Sequence, residues 1–542
     1  MTTVHQSPAP EGSKPKYTIP RPRNLYNFTI ALFVACGSLC YGYASSISAA
    51  LIGQPSWYDY MGLVSGTAQS NRILGAINGV YAAGGAFGCI VNMYIAERFG
   101  RPRSIQIGCV VSIVGASIMT ASVNIPMFIV SRFIMGAGIG ILVTLVPLYQ
   151  SEVSPPESRG LMVGLHGVLI GFSYSLTGFV TYGCYFASYG QFQWRFPLAV
   201  QLLPCTVLLV GSFFLPESPR WLIGKDRHDE AWNVTRRLHA NQKKDPTHSY
   251  AHAEYNQMMA QIQFEKQHDA VGMLKQAKLA FSQRSFQKRL GLGFLVQFGN
   301  QCTGALVINN YNAQLFTGLG VTGSLPLLLL GFFNLTTVPG NLFNGLFIDR
   351  FGRRRFVLTG CIGIIVCLSC EAAMTAVFVE NPANSSNRVG LGFGVFFIFA
   401  YVVFYSSCLD ATMYLIPSEI FPMVIRGFGM SWSIMGQFIA TVILLEAAPT
   451  AFQNIGYKFW IILICLTAIY GVLVYLFLPE TKGMTLEDIS ILFGDPVELS
   501  FEQALHRETA GKDEDEASEI RHTGGALNEK TVDRPEHVEV KS

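Results

Sequence analysis

Twelve apolar runs, each near the roughly 20 residues that a helix needs to cross a bilayer, limit what this chain can fold into. They begin near Phe28, Ile73, Ile105, Met127, Leu161, Phe196, Leu290, Leu325, Phe356, Leu391, Phe428 and Phe459. The pattern predicts an all-α membrane protein with twelve transmembrane helices. Composition agrees, because only 13% of the 542 residues are charged, against about 25% in a soluble domain. Too few ionic side chains remain to cover a water-facing surface of that size, which argues against a disordered chain or a cytosolic enzyme. The net charge of +3 gives no reason to expect a nucleic-acid partner. Most of the twelve cysteines lie inside apolar runs, where a thiol behaves as a small hydrophobe, and no metal spacing occurs among them.

The connections between runs alternate in charge. Lys and Arg collect at Lys14 to Arg23, Arg98 to Arg103, Arg159, the 220–290 stretch, Arg350 to Arg355, Arg426 and Lys482, whereas the alternate connections are nearly free of them. The positive-inside rule then places both termini in the cytoplasm, with the plasma membrane the expected location. The polar, Pro-rich start does not resemble a cleavable signal peptide, so the first run is expected to stay in the mature protein. Five segments follow: an N-terminal tail over 1–26, a six-helix half over 27–215, a helical cytoplasmic linker over 216–289, a second six-helix half over 290–478 and an acidic tail over 479–542. From Pro496 onward the tail holds twelve acidic and six basic residues and few aromatics, a composition expected to stay disordered and suited to trafficking or turnover machinery.

The two halves repeat. Ser151-Glu-Val-Ser-Pro-Pro-Glu-Ser-Arg-Gly160 and Ser418-Glu-Ile-Phe-Pro-Met-Val-Ile-Arg-Gly427 share one frame, 267 residues apart. Glu97-Arg-Phe-Gly-Arg101 pairs with Asp349-Arg-Phe-Gly-Arg353, and Leu215-Pro-Glu-Ser-Pro-Arg220 with Leu478-Pro-Glu-Thr-Lys-Gly483, at offsets of 252 and 263. Six spans per repeat make the halves parallel, an architecture that holds its binding site between them at mid-membrane. Charges at such span ends can serve as interfacial anchors and caps. Their matched occurrence points instead to a gating network of Glu152, Arg159, Glu217 and Arg98 with Glu419, Arg426, Glu480 and Arg350, closed in one state and broken in the other. A network present in only one state biases the equilibrium by its whole difference.

Over roughly Tyr26 to Phe493 the chain resembles the sugar porter family of the major facilitator superfamily, particularly its fungal members. The resemblance rests on Arg132-Phe-Ile-Met-Gly-Ala-Gly-Ile-Gly140, Pro147-x-Tyr149-x-x-Glu152, Trp194-Arg-Phe-Pro-Leu198 with Gln201, Pro216-Glu-Ser-Pro-Arg220 and Pro479-Glu-Thr-Lys-Gly483. It implies the major facilitator fold, alternating access and a central pocket for a monosaccharide, disaccharide or polyol. Proton symporters of the family carry an Asp where this chain reads Tyr41-Gly-Tyr-Ala44, and Ala44 cannot change charge. This departure favours facilitated diffusion. Asp410 stands where relatives have a glycine beside the sugar, and an intramembrane carboxylate is costly unless it is used. It is expected to contact substrate or a proton, or else to serve as a structural partner.

The family pattern also places substrate contacts at Gln301, Asn300, Asn310, Tyr311, Tyr414, Gln437 and Phe438, with His166 beside them. Amides both donate and accept, as sugar hydroxyls do, and an aromatic ring offers a flat face to a sugar's C–H side. Two family contacts are lost, at Leu306 and Gly167. Polar residues within spans can also simply bridge helices. Asn384, in Asn384-Ser-Ser386, is the one expected glycosylation acceptor in an external loop. Neither cofactor nor metal is implied; the expected partners are a small sugar or polyol and the lipid bilayer. Transport of a cyclic polyol acid or other non-sugar, proton symport through Asp410, and a transporter-like nutrient sensor remain as alternatives.

Overall fold

The computed structural model describes residues 25–153, 159–239, 249–267, 273–381, 387–422, 425–482, 484, 489 and 491–494. Asn384 and the acidic tail lie outside these residues. Twelve helical spans occur in order: Leu25–Ile52, Ala68–Phe99, Arg101–Thr120, Ile125–Val153, Arg159–Tyr185, Gly190–Ser212, the pair Arg284–Cys302 and Ala305–Gly318, Leu325–Phe351, Arg353–Val379, Arg388–Ile420, Arg426–Ile455 and Lys458–Phe477. Each starts within two turns of the apolar run that predicts it. By length and apolarity alone, ten helices among the described residues qualify as spans. The other two, the fifth and the seventh, carry His166 and the Asn300–Asn312 polar cluster. Their polar atoms face protein instead of lipid, which is where such groups can be satisfied in a bilayer.

Between the sixth and seventh spans lie short helices, Pro219–Gly224, His228–His239, Ser249–Gln267 and Met273–Ser282. Leu222, Ile223, Ala231, Met258 and Ile262 form a small apolar core of their own. Trp221 Nε1 donates to Glu97 O at 3.1 Å, tying these helices to the end of the second span. These helices mark the linker side of the bundle.

Small residues set the distances between spans, because apolar burial gives no preference for helix over lipid and close backbone approach supplies the attraction. Inside the first half, a Cβ on Gly136 would fall 2.1 Å from Tyr81 O and one on Gly140 2.2 Å from Gly85 O. Two seams join the halves. Along the fifth and eighth spans, Gly164 meets Gly345, Gly171 meets Thr337 and Gly178 meets Gly331. Along the second and eleventh, Gly85 lies under the Phe438 ring, Asn92 Nδ2 donates to Ser431 Oγ at 3.1 Å and Asn71 Nδ2 to Gln453 Oε1 at 3.2 Å.

These two kinds of glycine contact predict different phenotypes. Gly140→Val, within one half, overpacks a backbone contact at a cost of about 1–3 kcal/mol and lowers the unfolding temperature of purified protein. Gly178→Val, between halves, keeps more of that stability and slows substrate exchange in proteoliposomes; equal unfolding temperatures for the two would contradict this division.

Candidate functional site

The seventh span is built around a break. Its first piece ends at Cys302, and Gly304 adopts φ 90° before the second piece starts at Ala305, a conformation that glycine enters without a Cβ penalty. The break leaves Gln301 in a last helical turn and Asn309 one turn into the next piece. Both line a cavity between the halves, and the side-chain oxygens of both are buried without a hydrogen-bond partner. Asn300 is turned aside, its Nδ2 donating to Tyr405 Oη at 3.1 Å. Asn310 is bound back to its own helix, Nδ2 to Leu306 O at 2.9 Å. Tyr311 donates to Leu445 O at 2.8 Å and accepts from Asn78 Nδ2 at 3.2 Å, joining the second, seventh and eleventh spans.

The tenth span supplies the opposite wall. Its helix widens into a π-helical turn over Ser406–Asp410, a local irregularity often found at functional sites. Asp410 is buried, and its Oδ2 accepts from Asn341 Nδ2 at 2.7 Å. Asn341 also donates to Gly167 O at 3.0 Å, so the Asp410 carboxylate is tied to the fifth span across the seam. Tyr414, one turn on, lines the same cavity. Gln437 holds Tyr414 and Tyr41 together, its Nε2 lying 3.3 Å and 2.8 Å from their hydroxyls. Phe438 packs against Gly85 and does not border the cavity. His166 sits behind Tyr414, edge to ring at 4.7 Å, with Nδ1 2.6 Å from Ser38 Oγ.

Of the expected contacts, the cavity therefore brings together Gln301, Asp410 and Tyr414, while Asn300, Gln437 and His166 stand one layer behind and Asn310, Tyr311 and Phe438 are engaged elsewhere. Sequence reasoning missed Tyr174, Tyr401, Tyr405, Asn334 and Thr337, which also line the cavity. The spacing of Tyr401 and Tyr405, one helical turn apart, was a signal for a shared face. Arg132 lies outside the cavity. Its Nη1 donates to Ala44 O at 3.0 Å and its guanidinium lies 4.1 Å over the Tyr81 ring; among the described residues it makes no ion pair.

On the linker side the matched motifs fold into matched geometry, centred on a different arginine from the one expected. Arg98 and Arg350 are exposed; Arg98 donates to Tyr94 Oη, and Arg350 lies against the Phe347 ring. The carboxylates are met by the last arginine of each motif. Arg101 Nη2 lies 2.8 Å from Glu152 Oε1 and its backbone N donates to Glu217 at 2.8 Å. Arg353 Nη2 lies 2.8 Å from Glu419 Oε1 and its backbone N donates to Glu480 at 2.9 Å. The physical reason is position: Arg101 and Arg353 open their helices, where an acceptor can reach both the side chain and the free backbone N–H groups. Burial pushes the Glu217 carboxyl above its usual range, against backbone hydrogen bonds from Arg101 and Ser218. Both ion pairs lie within one half. Arg426, from the other half, donates to Phe421 O at 3.2 Å. The side chain of Arg159, which opens the fifth span, is outside the described residues.

A family model described as sugar (and other) transporter matches residues 30–493. The MFS-type transporter criB of Aspergillus cristatus is 31% identical over 92% of this chain and 99% of its own length. Quinate permease of Neurospora terricola is 29% identical, covering 91% of this chain and 96% of its own, and MFS glucose transporter mfs1 of Aspergillus flavus is 27% identical, covering 87% and 90%. Among solved structures, the proton:xylose symporter XylE bound to 6-bromo-6-deoxy-D-glucose superposes with a TM-score of 0.73 at 20% identity, over 86% of this chain and 99% of its own. The inward-open form of the E. coli xylose transporter gives 0.65 at 22% identity, over 86% and 100%.

The buried ion pairs predict a stability phenotype. Arg101→Ala leaves Glu152 as an uncompensated buried charge and costs about 3–5 kcal/mol, as Arg353→Ala does for Glu419, whereas Arg98→Ala and Arg350→Ala change the unfolding temperature little. Thermal unfolding of the four purified variants checks this, and equal losses across all four would contradict the pairing.

Proposed function

The chain belongs to the sugar (and other) transporter family of the major facilitator superfamily, whose members are multi-pass membrane transporters and not enzymes, and from that premise we propose that it carries a sugar or polyol by facilitated diffusion. The observation that carries this reading is the cavity between the halves, where Gln301 and Asn309 offer buried, unpartnered amide oxygens beside Tyr414. Such atoms lack the hydrogen bonds they would make in water, and a polyhydroxylated substrate supplies them. The names of the glucose transporter and quinate permease relatives fit a small hydroxylated ring. Diffusion without proton coupling is favoured by Ala44, beside which Arg132 binds the Ala44 carbonyl and the Tyr81 ring and, among the described residues, no carboxylate.

Alternating access in this reading is a rocking of the two halves about the seams between them. The pairs Glu152–Arg101 and Glu419–Arg353 keep each half rigid, and Arg426, Arg159, Glu217 and Glu480 complete the linker-side gate. The Lys and Arg distribution supports placing that side and both termini in the cytoplasm, with the plasma membrane as the location, Asn384 as a glycosylation acceptor outside, and the acidic tail as a handle for turnover. A second reading, proton symport through Asp410, is favoured by one observation: a buried carboxylate whose hydrogen-bonding partner is a neutral amide.

Uptake of labelled hexoses, pentoses, inositol and quinate into proteoliposomes, with and without a proton gradient, tests both. Facilitated diffusion predicts equilibration that ignores the gradient, and Gln301→Ala raises the KM about tenfold, the loss of one or two hydrogen bonds. Gradient-driven accumulation abolished in Asp410→Asn would move the function to symport, and no exchange of any hydroxylated solute would overturn the reading.

A further inference from the structure

The cavity is unbalanced in both charge and hydrogen-bonding capacity. Asp410 is 6% exposed, and among the described residues no arginine, lysine or histidine makes an ion pair with it. Arg132, a buried cation of the first half, is held by the Ala44 carbonyl and the Tyr81 ring and does not line the cavity. A carboxylate taken out of water needs a compensating positive charge or a proton, and the cavity walls supply no cation. The amide oxygens of Gln301 and Asn309 add two more buried acceptors without donors, against one unpartnered donor in the lining, Asn334 Nδ2.

Five tyrosines, Tyr41, Tyr174, Tyr401, Tyr405 and Tyr414, border the same space. Four have their hydroxyls anchored: Tyr41 and Tyr414 by Gln437, Tyr405 by Asn300, and Tyr401 on Thr303 O at 3.2 Å. These five residues bring aromatic rings to the cavity lining, and the negative faces of aromatic rings attract cations. An ammonium group carries one positive charge and three donors with no acceptor. It complements a buried carboxylate and two unpartnered amide oxygens among tyrosines better than a neutral hydroxyl does, while the hydroxyls of the same solute can accept from Asn334 Nδ2.

We propose that the cavity takes an amine-bearing sugar or polyol in its cationic form, with the ammonium seated on Asp410 among the tyrosine rings. The inference rests on the reading above that a hydroxylated solute occupies this cavity. It assigns the carboxylate a substrate-binding role and makes Asp410 the residue that separates cationic from neutral substrates.

Calorimetric titration of the purified full-length protein at pH 7 with glucosamine, N-acetylglucosamine, glucose and tetramethylammonium tests it. The expected result is glucosamine bound about tenfold or more tighter than glucose and N-acetylglucosamine. Asp410→Asn brings the three level, and Asp410→Glu keeps the preference. Equal affinities in the wild-type protein would overturn the proposal without any variant having to fold, as would a preference that survives in Asp410→Asn. Glucose binding with glucosamine excluded would sink the cationic inference and leave sugar transport standing. Tetramethylammonium binding without any sugar, glucosamine included, would overturn both the proposal and the sugar reading, as would no binding by any of the four.

Discussion

In a hydrocarbon interior there is no water to complete a hydrogen bond, so every polar atom within a span must find its partner in another part of the chain. This requirement organises the bundle. Asn92 finds Ser431, Asn78 finds Tyr311, Tyr311 finds the Leu445 carbonyl and Gln437 finds two tyrosines. Each of those links crosses from one span to another, and most cross between halves. Among the atoms for which it goes unmet, the amide oxygens of Gln301 and Asn309 and the Asn334 amide nitrogen belong to residues that border a shared cavity. Unpartnered polar atoms occur elsewhere in the bundle too, but these three face one space that a ligand could fill.

The duplicated half explains how such a cavity can be exposed to either side without dismantling the fold. Arg101 and Arg353 each clamp one half at its linker end, with ion-pair distances of 2.8 Å in both. The contacts between halves are of a different kind: glycine against glycine, an aromatic ring on a glycine, single amide bonds at the ends. Charge-assisted pairs resist deformation within a half more strongly than these contacts resist sliding between halves. Rigid halves on yielding seams are the mechanical condition for rocking.

Much of this was legible in the sequence. The twelve spans follow from hydropathy averaged over long windows, which tolerates local exceptions, and the fifth and seventh spans were found although their polar residues lower their average. The repeat was legible as three motif pairs, and Asp410 as a charge within an apolar run. The choice between Arg98 and Arg101 was not, because two arginines three residues apart satisfy the same motif and only the helix start at Arg101 decides which one meets Glu152. Asn310 has the right residue type for a ligand, yet its amide is captured by the carbonyl four residues back, a local competition invisible without coordinates. Tyr174, Tyr401 and Tyr405 escaped notice because a tyrosine in an apolar run reads as one more hydrophobic residue.

The central claim is that one cavity between the halves serves both sides of the membrane in turn. Its most direct test is a single cysteine, Asn309→Cys, in a chain whose twelve native cysteines have been replaced, labelled by a membrane-impermeant thiol reagent added to one face of proteoliposomes and then to the other. Alternating access predicts labelling from both faces, slowed from both by a bound substrate. Labelling from one face only would contradict it.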